Sequence, residues 1–202
     1  MTISLVSRLG LVIAFVVAAG GCGSAPSSSF LGDTSRFGAD PRLEHALVYR
    51  HPSRSARDFR KVWLDTIEVQ FANPSDAKEV DVAGMKEFIA FWRRETEAQL
   101  KVTHELASSP GEGTLRMRMA LTRVLPAKPG QMFTPITTPT RLDLATATLE
   151  TEVVDSITGE RILAIIDQSA TTRPAGTDRL DHAKKLIKAW MERLFSLRGT
   201  VG

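Results

Sequence analysis

A chain of 202 residues with one cysteine can close no internal disulfide, so its fold has to be held by an apolar core. That cysteine, Cys22, follows an apolar run from Leu9 to Ala19 that ends in Gly20 and Gly21, with Arg8 as its basic flank. The uninterrupted stretch is about 11–13 residues long, whereas a helix needs about 20 to cross the hydrocarbon layer. Small residues before the cysteine suit a peptidase pocket. The pattern predicts a signal peptide over residues 1–21, cut after Gly21, and acylation (palmitate or a similar chain) of Cys22.

Gly23-Ser24-Ala25-Pro26-Ser27-Ser28-Ser29 is small and polar, and it reads as the start of a flexible tether over residues 22–40. A single periplasmic domain is expected over 41–199, long enough to bury one proper core. Such a chain would be held on a membrane by lipid. Neither Gly23 nor Ser24 is an aspartate, the residue that by sorting convention retains lipoproteins at the inner membrane, so the outer membrane, periplasm-facing, is the expected location.

The strand and helix periods are clear in places. Lys61 to Phe71 changes phase: Val62 and Leu64 occupy one alternation, and Ile67, Val69 and Phe71 the other. A β-bulge near Asp65-Thr66 would reunite them on one face. Met85, Phe88, Ile89, Trp92, Thr96 and Leu100 form a helical stripe from about Val82, with Asp81 as N-cap. Residues 101–106 read as a short strand. Leu115, Met117, Met119 and Leu121 alternate with Arg116 and Arg118 in the clearest strand, and Glu150 and Glu152 on a neighbouring strand are candidates to pair with those arginines. Residues 145–154 and 161–167 form a hairpin about Gly159. Leu180, Ala183, Ile187, Trp190, Leu194 and Leu197 line a last helix. The order β-α-β-β-β-β-α predicts an α+β two-layer sandwich, with a mainly antiparallel sheet of about five strands and two helices on one face.

Three stretches carry a resemblance: Lys61-Val62-Trp63-Leu64, Gly111 to Thr122, and Glu150 to Glu160. On these the chain resembles an uncharacterised bacterial lipoprotein family, domain of unknown function 3313, over roughly residues 45–195. The resemblance implies a stable multi-chain lipid anchor at Cys22 and brings no catalytic residues with it. In layout the chain is similar to envelope lipoproteins that assist larger machines, an analogy at fold level only.

Reactive constellations are scarce. No histidine pair has zinc spacing, no nucleophile elbow or phosphate loop is present, and no metal or cofactor is expected. Glu150 and Glu152 lie on the same side of a strand and read as soluble surface rather than a hydrolase pair. The leading expectation is a non-enzymatic accessory domain with an envelope protein partner. The proline-interrupted segment 126–142, with Met132 and Phe133, is one candidate contact. The alternative is a peptidoglycan- or glycan-binding module using the basic residues Arg54, Arg57 and Arg60, and a hydrolase is a lesser one. Nucleic acid is not expected in that compartment.

Overall fold

The phase change in Lys61–Phe71 is resolved in the backbone. The computed structural model describes residues 27–75, 81–126, 142–143, 147–168 and 179–196. Its elements in chain order are β1 (Ser27–Ser28), β2 (Gly32–Asp33), β3 (Gly38–Ala39), β4 (Ala46–Arg50), a 3-10 turn (Ala56–Asp58) and β5 (Lys61–Phe71). Then follow α1 (Val82–Leu100), β6 (Glu105–Leu106), β7 (Thr114–Pro126), β8 (Leu142–Asp143), β9 (Thr148–Asp155), β10 (Arg161–Asp167) and α2 (Arg179–Ser196). Leu64 pairs with Met117 but Ile67 pairs with Met119, so β5 carries one extra residue at Asp65-Thr66. Val62, Leu64 and Ile67 are all buried as a result.

The main sheet runs β3-β4-β10-β9-β7-β5-β6, with β8 on the far end of β7. β5 is parallel to β7 and β6, because α1 carries the chain back to its starting edge; the remaining pairs are antiparallel. The Asp81 carboxylate accepts from the Ala83 N–H at 3.0 Å and starts α1. Phe88, Trp92, Thr96 and Leu100, spaced four apart, are its buried face. Ala183, Ile187, Trp190 and Leu194 do the same for α2, joined by Leu186 and Met191. Both helices pack with Leu115, Met117, Met119, Leu121, Val153 and Ile165 in one core on one face of the sheet. The α+β class and the placement of both helices on one face are as the sequence predicts.

Three sets of expectations need correction. The sheet exceeds five strands, because β4 and its short neighbour β3 extend the edge beyond β10. Ala46-Leu47-Val48-Tyr49 is an apolar run inside what reads as an irregular basic segment, and only its packing reveals it. Of residues 101–106, only Glu105–Leu106 is strand; the rest is the turn that ends α1.

Second, residues 27–40, expected to be tether, belong to the packed body. Phe30 and Leu31 are buried against Tyr49, Ala120, Ala164 and Ile166, on the sheet face opposite the helices. The Ser28 hydroxyl accepts from the N–H groups of Phe30 and Leu31, and Gly32 takes φ 70° to turn the strap over the sheet.

Third, Glu150 and Glu152 are not surface. They are 5% and 7% exposed beneath that strap. Glu152 accepts from Arg118 Nε at 3.0 Å and from Arg161 Nε at 2.9 Å. Arg161 also donates to the carbonyls of Asp33 and Leu31, tying the strap down. Glu150 accepts from Thr122 Oγ1 at 2.6 Å and from the Ser28 hydroxyl. The predicted pairing of Arg118 with Glu152 is present, whereas Arg116 pairs with Asp65 across the bulge. Buried carboxylates need such partners, since an unpaired charge away from water is costly.

Candidate functional site

The site lies at the end of the sheet where β5, β7 and β10 begin and β9 ends. The segment between β4 and β5 crosses this end, and its own hydrogen bonds shape it. Ser55 caps the 3-10 turn: its hydroxyl accepts from the Arg57 N–H and its N–H donates to the Asp58 carboxylate at 2.7 Å. His51 Nδ1 accepts from the N–H groups of Ser53 and Arg54, so its proton sits on Nε2 and is donated to Glu160 at 2.9 Å.

Arg54 is committed to this end of the fold. Its Nη2 donates to Asp155 Oδ2 at 2.8 Å, its Nη1 donates to Glu160, and its guanidinium lies 5.0 Å from the centre of the Phe59 ring. The pairing holds the carboxyls of Asp155 and Glu160 below their ordinary range and raises the guanidinium above its own. Across the mouth, His104 donates from Nε2 to the Ala56 carbonyl at 3.2 Å, which leaves Nδ1 to accept from the Thr103 hydroxyl at 2.8 Å. The loop is thereby stitched to the end of α1.

Beneath it is a cavity of about 250 Å³. Its walls are apolar: Val62, Leu115, Met117, Val153, Ile162 and Leu194. Its mouth carries Arg50, His51, Arg54, Arg57 and His104, and among the described residues no carboxylate lines it. Thr151, 1% exposed, also lines it, and its hydroxyl has no hydrogen-bond partner. The Ser55 hydroxyl is used as a cap, and the hydroxyl–imidazole contact among the described lining residues is Thr103 Oγ1 to His104 Nδ1, with His104 Nε2 held on the Ala56 carbonyl. Among the described residues no group of three or more His, Cys, Asp or Glu side chains is placed to hold a metal ion.

The expected site residues are distributed unevenly. Arg54 and Arg57 line the cavity mouth, and Arg60 is exposed one turn of chain further on. Arg54 serves Asp155 and Glu160, so a basic face for acidic glycans retains Arg57 and Arg60 as its exposed members. Gly21, Cys22, Met132 and Phe133 lie outside the described residues. The cavity itself was not visible in the sequence. Thr151 alone interrupts an otherwise apolar alternation of Leu149 and Val153, and that is its one sequence signal.

The family model "Protein of unknown function (DUF3313)" matches residues 26–194. The chain belongs to that family. No curated protein matches it. Among solved structures, the PelC dodecamer from Paraburkholderia phytofirmans is similar at 11% identity, with 73% of this chain and 96% of that chain covered and a TM-score of 0.40. A DUF4136 family protein from Bacteroides thetaiotaomicron is similar at 13% identity, with 75% and 97% covered and a TM-score of 0.41. The family match begins at residue 26, so it includes the strap and not only the sheet.

Proposed function

We propose that this protein is an outer-membrane lipoprotein of the cell envelope, acylated at Cys22, that acts without catalysis by presenting its cavity-bearing end to an envelope protein. The observation that supports this reading is that Ser27–Ser28 already belong to the packed body. Ser28 is bonded to Glu150, near the start of β9, while the cavity mouth is at Asp155, where β9 ends. Five residues of strand separate those points by roughly 17 Å. Only four residues lie between Cys22 and Ser27, five steps of chain with a reach of at most about 18 Å. A body tethered so closely by one end offers the opposite end to the periplasm.

The test is photocrosslinking in intact envelopes. The probe replaces Ile157 or Val102, which are 65% and 75% exposed at the cavity end, or the exposed Ser29 at the tethered end. A discrete protein adduct from positions 157 or 102 and none from 29 supports the reading. Adducts that disappear on muramidase digestion would favour peptidoglycan binding instead. No adduct from any of the three positions overturns the partner role.

A further inference from the structure

We infer that residues 28–39 are a releasable length of tether: a pull on the anchored end peels the strap from the sheet, lengthens the tether and leaves the body folded. This deepens the proposed function and rests on the anchoring given there, for it makes the reach of the body something that a partner's pull can change.

The load enters where the strap is held least. β1 and β2 form a two-stranded sheet of their own with two residue pairs, and among the described residues no ladder joins them to the main sheet. The first strap residues paired with the main sheet are Gly38 and Ala39, against β4. Of residues 28–39 only Phe30, Leu31 and Thr34 are buried. Arg161 donates to the Leu31 and Asp33 carbonyls, Ser28 donates to Glu150, and the Arg118 guanidinium lies 4.9 Å from the centre of the Phe30 ring. A pull at Ser27 meets these contacts one after another, whereas a strand pulled within a ladder loads many bonds together.

The surface beneath the strap is compatible with water. With the strap lifted, Glu152 keeps both Arg118 and Arg161, and Glu150 keeps the Thr122 hydroxyl. Water then answers their remaining hydrogen-bonding groups, so no charge is stranded. The apolar side chains uncovered are Tyr49, Ala120, Ala164 and Ile166, a cluster separate from the core that the helices share with the other face of the sheet. Peeling therefore leaves the packing of α1 and α2 in place, which makes the strap a sub-global opening rather than the start of unfolding.

The peel has a stop. Asp40, 8% exposed, accepts from Arg42 Nε at 2.9 Å and from Arg50 Nη2 at 2.8 Å, and Leu43 just beyond it belongs to the main core. The chain from Ser28 to Asp40, at about 3.3–3.6 Å per residue, adds roughly 40 Å to a tether of at most about 18 Å. Urea favours a state in proportion to the surface it exposes, so it gives little help to so small an opening and takes the strap with the whole body. Load at Ser27 singles the strap out.

The experiment is single-molecule pulling on the full chain, produced without acylation. The thiol of Cys22, the only cysteine, takes one DNA handle and a carboxy-terminal tag takes the other. The expected record is an early, reversible step that releases residues 28–39 alone, then a step at higher force that unfolds the body. Moving the handle past the stop, with Cys22→Ser and Pro41→Cys at an exposed position, should abolish the early step and keep the late one. Leu31→Ala should favour the open strap at a given force about 30- to 160-fold and leave the force of the late step unchanged. The inference is overturned if strap and body unfold in one step. It is equally overturned if the early step survives attachment at position 41, or if Leu31→Ala does not move it. Failure of the anchoring is read separately, from the mass of the amino-terminal peptide in the native envelope, since the pulling experiment needs no lipid.

Discussion

Replacing Leu31 by alanine separates a packed strap from a slack tether. Leu31 is 3% exposed and packs with Phe30, Tyr49, Ala120, Ala164 and Ile166; its N–H is bonded to Ser28 and its carbonyl to Arg161. Burial of this kind makes leucine-to-alanine changes cost about 2–5 kcal/mol. A strap at the surface can settle partly into the space left behind, so the lower half of that range, about 2–3 kcal/mol, is expected here. For a domain of this size each kcal/mol moves the melting temperature by about 2–4 °C, giving a fall of roughly 5–10 °C. Urea unfolding should show the loss in the midpoint with an unchanged slope, because the strap still unfolds with the rest. Val102→Ala is the control: that side chain is 75% exposed, and its loss should stay within about 0.5 kcal/mol. A Leu31→Ala protein within about 0.5 kcal/mol of the parent would refute the packing of residues 27–40.

Glu152→Gln should destabilise by about 2–3 kcal/mol in the same assay, since it leaves Arg118 and Arg161 facing each other under the strap; their side chains, 28% and 22% exposed, keep some hydration and hold the loss below that of a fully buried pair. Changing Glu152 and Arg118 together to methionine should recover most of it, and no recovery would contradict the ion-pair account. Acid should weaken the fold in a defined direction. The Arg42 guanidinium, aided by Arg50, holds the Asp40 carboxyl well below its ordinary range, and Arg54 lowers Asp155 and Glu160. Folded values below unfolded ones mean stability that is complete above the unfolded values near 4 and is lost as pH falls through the folded ones. The urea midpoint should therefore be level between neutrality and about pH 5 and fall below about pH 4, less steeply in Asp40→Asn; a midpoint level down to the most acid conditions contradicts this. Asp81→Ala should cost about 1 kcal/mol and speed hydrogen exchange in the first turn of α1 only.

The helix-bearing face of the sheet was legible because its signals are local. Four-residue spacing in Phe88, Trp92, Thr96 and Leu100 and the two-residue alternation from Leu115 to Leu121 depend on nothing far away in sequence. The phase change at Asp65-Thr66 even located the bulge. The opposite face was not legible. Glu150 and Glu152 have the pattern of residues facing water, and what covers them is supplied from about 120 positions earlier by Phe30 and Leu31. Those two stand in a serine- and glycine-rich stretch whose composition resembles a tether. The signal that was available is the apolar pair itself, set between Ser28, whose hydroxyl takes the next backbone donors, and Gly32, which allows a positive φ. At the candidate site, sequence singled out the arginines but not their partners. Arg54 reads as a free cation until Asp155 and Glu160, a hundred residues on, are seen against it.

The account depends on a body held by its strap end a few residues from a lipid. The most direct measurement is the mass of the amino-terminal peptide of the protein isolated from its native envelope. The account predicts a peptide that begins at Cys22 and carries acyl mass on it. A peptide that begins at Met1, or one with an unmodified Cys22 thiol, contradicts it.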